Sequence, residues 1–264
     1  MDLLLKDKIA LITGGSQGIG KAIAKKLASE GTNIVICSRN LDNLQESASE
    51  IQSLTKRIVM PIQCDTTKTD SIKNLVNQTF EKFGRIDILI NNAAAPGGLV
   101  GGNIDSADEN DLLEDIDTKV MGYFRCAKLV TPIMKTQKSG RIINIGGLAA
   151  RNAGTYSGLR NLALVHMTKT LSLELASYGL TVNIVHPGQT MTEKKPTRIS
   201  IESEKTNVPE NEIYQQWLNS TDIKRIVDAD EVATLVTFLS SPLSGSITGE
   251  SIACGGGVGT SIYP

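Results

Sequence analysis

What this chain lacks narrows it first. Its four cysteines, Cys37, Cys64, Cys126 and Cys254, stand far apart with no CxxC pair. Neither a zinc site nor a disulfide framework is indicated, and a reduced, cytosolic (cytoplasmic) setting is expected. There are only two histidines, His166 and His186, and no cluster of metal-ligating residues, so no metal is required. Charge of one sign is not in excess, with 27 Lys and Arg against 28 Asp and Glu, which argues against a nucleic-acid partner. No stretch approaches the roughly 20 consecutive apolar residues of a membrane span. The opening MDLLLKDKIALITGG is interrupted by Lys6, Asp7 and Lys8 and does not read as a signal peptide. Internal repeats and low-complexity segments are absent too. What is there is 264 residues, 40% apolar and 21% charged, the profile of a globular chain long enough for a substantial core.

Short β-branched runs alternate with longer segments of helical period. The pattern predicts strands at residues 9–13, 33–38, 58–63, 86–91, 140–145 and 181–186, with a seventh near 251–253. Helices are predicted at 19–30, 41–54, 69–83, 109–134, 156–176 and 230–239, where apolar residues recur three and four apart. Such alternation builds βαβ units. The expected fold class is therefore α/β, a Rossmann-type doubly wound domain over residues 1–264. Its seven-stranded, mainly parallel sheet would carry helices on both faces. The one long irregular stretch, residues 190–228, is rich in Glu, Lys, Ser, Thr and Asn and is expected to be a substrate lid.

The first predicted strand runs into Gly14-Gly15-Ser16-Gln17-Gly18-Ile19-Gly20 and then a helix. Glycines at such a turn let a phosphate approach backbone N–H groups at a helix N-terminus, although a merely tight βα loop would look similar. The second strand ends in Ser38-Arg39, where NAD-specific proteins of this fold place an acid on the ribose 2′-hydroxyl. Without that acid, Arg39 can pair with a 2′-phosphate and Ser38 can hydrogen-bond it, which favours NADP(H).

Taken together, the motifs resemble the short-chain dehydrogenase/reductase family along nearly the whole chain. They are Thr13-Gly14-x-x-x-Gly18-x-Gly20, Cys64-Asp65, Asn91-Asn92-Ala93-Ala94, Tyr156-x-x-x-Arg160, Asn183 with Pro187-Gly188, and Ile247-Thr248-Gly249. The resemblance implies that Asp65, followed by Thr66, meets the adenine amino group and that Asn92, with Ala93, lies by the adenosine ribose. It implies also that Pro187-Gly188 walls the nicotinamide, while Thr190 and Thr192 contact the carboxamide and pyrophosphate.

Members of the family use a Tyr as acid/base, a Lys four residues later, a Ser before them and an Asn on an earlier helix. Here Tyr156 is followed at the fourth position by Arg160, Gly147 stands at the serine position on a shortened loop, and Lys119 fills the asparagine position. Arginine keeps a positive charge beside the phenol, but its planar fork is not interchangeable with an ammonium. We therefore expect Tyr156, Lys119 and Arg160 to be the catalytic set, with Lys119 supplying the missing ammonium unless it merely snorkels to water. Thr155 and Ser157 could supply a hydroxyl or simply cap a helix. His166 and His186 read as packing residues, and Tyr214 with Trp217 as part of the lid or of a subunit contact. The run Glu193-Lys194-Lys195 reads as solvated surface.

These expectations converge on an NADPH-dependent oxidoreductase that passes a hydride to a carbonyl, with Tyr156 delivering the proton. Two alternatives remain open at this point: reduction of an activated C=C bond in an enoyl- or dienoyl-thioester, and a non-catalytic NADP(H)-binding regulator or scaffold. The expected partners are a small-molecule substrate and, by the resemblance, further copies of this chain in a homodimer or homotetramer built on the helices at 109–134 and 156–176.

Overall fold

The computed structural model describes residues 1–95, 98–101, 103–151, 155–193 and 195–259, without the side chains of 195–198 and 205. Seven strands form one sheet in the order β3-β2-β1-β4-β5-β6-β9. They are β1 (Ile9–Thr13), β2 (Asn33–Ser38), β3 (Val59–Gln63), β4 (Ile88–Asn91), β5 (Gly140–Ile145), β6 (Leu180–Pro187) and β9 (Ser251–Cys254). Every pair is parallel. Every residue of β1 and β6 is buried, and β1 accordingly reads as an apolar run over residues 9–12 rather than an alternation.

The pleat divides those side chains between two cores. On one face Ala10 and Ile12 of β1 join α1 (Gly18–Ser29), α2 (Leu41–Thr55) and α9 (Ala229–Ser240). On the other, Leu11 and its neighbours meet α3 (Thr69–Phe83), α5 (Gly122–Gln137) and the end of α6 (Ser157–Leu175). The sheet order reverses direction beside β1, and the carboxyl ends of β1 and β4 open there into a crevice.

Strand and helix ends differ from the sequence expectations by a residue or two, but two segments differ in kind. The single helix expected over 109–134 is divided into α4 (Glu109–Ile116), a π-helical turn at Asp117–Met121, and α5. Arg125 binds the Asp117 carboxylate at 2.6 Å and the Asp117 and Thr66 carbonyls at 3.3 and 3.4 Å, and it thereby anchors this widened turn to the loop after β3. Periodicity alone does not reveal one extra residue in a turn. Residues 190–228, expected to be irregular, instead contain β7 (Thr190–Met191), α7 (Lys195–Thr206), α8 (Glu210–Asn219) and β8 (Val227–Asp228). The strands β7 and β8 pair in parallel, and α7 packs on α8. The polar composition reflects helices with only one apolar stripe, such as α8, whose Ile213 is buried.

Candidate active site

A cleft of about 1100 Å³ lies across the carboxyl ends of the strands. Every predicted cofactor residue except Gly20 lines it, as do Lys119 and Arg160. Gly20 sits beneath the turn, where a Cβ would fall 2.2 Å from the Gly14 carbonyl oxygen, so only glycine lets helix and turn close on each other. The Asn92 amide holds the same turn by donating to the carbonyls of Thr13 and Gly14 at 3.1 and 3.0 Å. Thr13 Oγ1 accepts from the backbone N–H groups of Asn92 and Ala93.

At the helix end of the turn, Gly18 N–H donates to the Glu193 carboxylate at 2.7 Å. Glu193, expected on the solvated surface, is thus an anion seated on the phosphate turn. Lys194 lies outside the described residues, as does the side chain of Lys195. Farther along the cleft, Ser38 Oγ donates to Asn40 O at 3.0 Å and Arg39 is exposed. The Asp65 carboxylate accepts from Thr67 N and Oγ1 at 2.9 and 2.8 Å. Burial pushes its pKa up, but those hydrogen bonds with the charges of Arg39 and Lys68 outweigh it and hold the group below its ordinary value. The donor set therefore fits a dinucleotide: anion-binding N–H groups, a free-standing arginine, short polar groups at strand ends, and Pro187-Gly188 with Thr190 and Thr192 at the far side.

The other half of the cleft holds the buried cations Lys119 and Arg160. Lys119, in the π turn, is 4% exposed, and its Nζ donates to Asn161 Oδ1 at 2.8 Å and Gly146 O at 3.0 Å. Burial, then the nearby Arg160 charge, lower its pKa to about 7, while Asp115 acts in the opposite sense. Arg160 points elsewhere: it forms a buried ion pair with Asp115 and donates to Ala95 O at 3.1 Å. It ties α4, α6 and the loop after β4 together.

Tyr156 precedes α6, half-buried, and is not part of the cleft lining, whereas Thr155, Ser157 and Asn161 are. Thr155 Oγ1 accepts from Ser157 N at 3.2 Å, the capping arrangement weighed from the sequence. His186 is fully buried, bonded through Nδ1 to the Gly147 backbone and through Nε2 to Ser251 Oγ at 3.1 Å. Burial lowers its pKa to about 4. A Cβ on Gly146 would lie 2.5 Å from its Nδ1, so the strand end is built around this ring. His166 is exposed on α6.

Asn161, Asp115 and Glu193 were missed from sequence. For Asn161 the signal was available: it lies one turn after Ser157, on a face shared by residues four apart.

Fold and cleft define a nucleotide-binding oxidoreductase of Rossmann type. The short chain dehydrogenase profile matches residues 8–201, and the chain belongs to that family. It is similar to a 3-oxoacyl-[acyl-carrier-protein] reductase, FabG, of Staphylococcus epidermidis, 34% identical over 256 residues that cover 96% of this chain and 99% of the other. Among solved structures it is similar to L-sorbose reductase of Gluconobacter frateurii complexed with NADPH and L-sorbose. That match has 27% identity and a TM-score of 0.92, covering 98% of each chain. It is similar also to an NAD+-bound xylitol dehydrogenase, with 27% identity and a TM-score of 0.89, covering 96% and 100%. Among the described residues no helix is long and apolar enough to cross a membrane.

Proposed function

We propose that this protein is an NADPH-dependent reductase of a small or acyl carbonyl compound. The observation that carries the reading is one continuous cleft joining an anion-binding turn at Gly18, the exposed Arg39, and the buried Lys119 ammonium. In it the N–H groups of the Gly14–Ile19 turn would hold a pyrophosphate and Ser38 with Arg39 a 2′-phosphate. Asp65 with Thr66 would take the adenine, Asn92 with Ala93 the ribose, and Pro187, Gly188, Thr190 and Thr192 the nicotinamide end. A reduced nicotinamide bound there supplies a hydride. Lys119 places positive charge where a carbonyl oxygen gains electrons, and Arg160 keeps α6 and the loop after β4 in register.

Residues 190–228 serve as the lid, since Thr192, Glu193 and Ile201 reach the cleft. Copies of the chain assemble through α5 and α6, which expose Phe124, Leu159, Leu162 and Leu173.

The test is a fluorescence titration with NADPH and NADH, then a screen of carbonyl and enoyl compounds for loss of nicotinamide absorbance. NADPH preference with carbonyl turnover is expected. Tight binding without turnover on any class would overturn the enzyme reading, and binding of neither nucleotide would overturn all of it.

A further inference from the structure

We propose that Lys119 is the proton donor of this site and that Asn161 is the residue that positions it, an inference that rests on the reductase reading above. Lysine on a core-facing helix position is costly unless its charge is used. Among the described residues Lys119 has no carboxylate within ion-pair distance, because Asp115, the acid nearest by its effect, is bonded to Arg160. Among the described residues only neutral acceptors hold the ammonium, Gly146 O and Asn161 Oδ1. An ammonium has three N–H donors. Two are used, and the side chain lines the cleft, which leaves the third for an oxygen bound there.

The amide of Asn161 is oriented for this. Its Nδ2 donates to Ser157 O at 3.0 Å, which leaves Oδ1 to accept from Nζ, a group that as an ammonium can only donate. Lysine at the position where the family has asparagine, facing an asparagine on α6, places the ammonium in the cleft from the opposite helix. Loss of the tyrosine from the lining is then no loss of the acid.

The groups around Nζ favour proton release near neutrality. Arg160 on α6 adds positive charge and Asp115 on α4 partly offsets it. His186 on β6, beneath Gly146, has its pKa pushed down to about 4 and stays neutral. Tyr123 on α5 donates to Ile145 O at 3.0 Å, and burial pushes its phenol up, so it keeps its proton. As the substrate carbon gains a hydride from the reduced nicotinamide dinucleotide, an Nζ–H bond breaks and an O–H bond forms on the substrate oxygen. The lysine is left as a neutral amine, and solvent at the cleft mouth restores its proton.

The experiment measures kcat against pH, NADPH affinity by fluorescence, and the ionisation of Lys119 by competitive amine labelling read by mass spectrometry. It uses the wild type with Lys119→Arg, Asn161→Asp and Tyr156→Phe. Activity should fall as pH rises through about 7, with the labelling midpoint at the same pH. Asn161→Asp should move both midpoints upward by about one unit. Lys119→Arg keeps a cation but cannot release a proton, and should lose about 100-fold or more in kcat with NADPH affinity within about threefold.

A labelling midpoint above about 9 overturns the proposal, as does removal of the alkaline limb by Tyr156→Phe. If Lys119→Arg fails to fold, labelling of the wild type and Asn161→Asp decides. Wild-type turnover with unaltered variants sinks the donor role alone. NADPH binding without any carbonyl turnover sinks the reductase reading and the donor role with it.

Discussion

Removing Arg160 separates a structural cation from a catalytic one. Arg160 and Asp115 are 4% and 0% exposed, and burial disfavours both charges, raising the carboxyl pKa and lowering that of the guanidinium against their mutual attraction. Even as a pair they are imperfectly satisfied, since Asp115 Oδ2 and Arg160 Nε have no hydrogen-bond partner among the described residues. Arg160→Met leaves a buried carboxylate without its paired cation and frees the Ala95 carbonyl, which should cost about 3–5 kcal/mol. For a chain of this size that is a fall in Tm on the order of 10 °C. The apolar pair Asp115→Leu with Arg160→Met should recover most of the loss, because two desolvated charges are removed together. Urea unfolding followed by circular dichroism on wild type, both single variants and the double variant gives the coupling energy. A midpoint unchanged in Arg160→Met while kcat collapses would refute the reasoning and assign Arg160 to the chemistry.

Other outcomes follow from the cleft. Arg39→Ala should weaken NADPH binding by about 10- to 100-fold, the value of a charge-assisted hydrogen bond of roughly 1.5–3 kcal/mol, with little change for NADH in the same titration. Glu193→Gln should tighten NADPH about fivefold at low salt, because a carboxylate on Gly18 N–H competes with phosphate by about 1 kcal/mol; an unchanged Kd would separate Glu193 from the phosphate turn. The folded pKa of His186, about 4, lies below its ordinary 6.5, so the unfolded chain binds more protons between those values. Stability from this group is complete above pH 6.5 and falls by about 3 kcal/mol toward pH 4, and a His186→Gln variant should show a flatter unfolding midpoint over that window. Leu173, 84% exposed on α6, should sustain self-association, and Leu173→Glu should shift the sedimentation profile toward monomer.

The elements of the sheet were legible because a strand buried on both faces is rich in consecutive apolar residues, as residues 9–12 and 88–90 are. The phosphate turn was legible because glycine is required wherever backbone approaches backbone as Gly20 approaches Gly14. The absent acid after β2 was equally a matter of residue type, and Lys119 stood out as a lysine at the position where the resemblance expects asparagine.

Tertiary structure decided what those residues face. A π turn shifts the register after Asp117 and directs Lys119 to Gly146 and Asn161, an orientation that the period of the sequence does not contain. Arg160 and Asn161 are adjacent in sequence, yet the rotation of α6 gives one to Asp115 and the other to Lys119. Glu193 lies 175 residues from Gly18 and meets it only because the chain returns over the cleft. Composition and period determine which segments fold and where a phosphate fits. Which side chain holds the proton depends on burial and on partners far apart in the chain, and only packing brings those together.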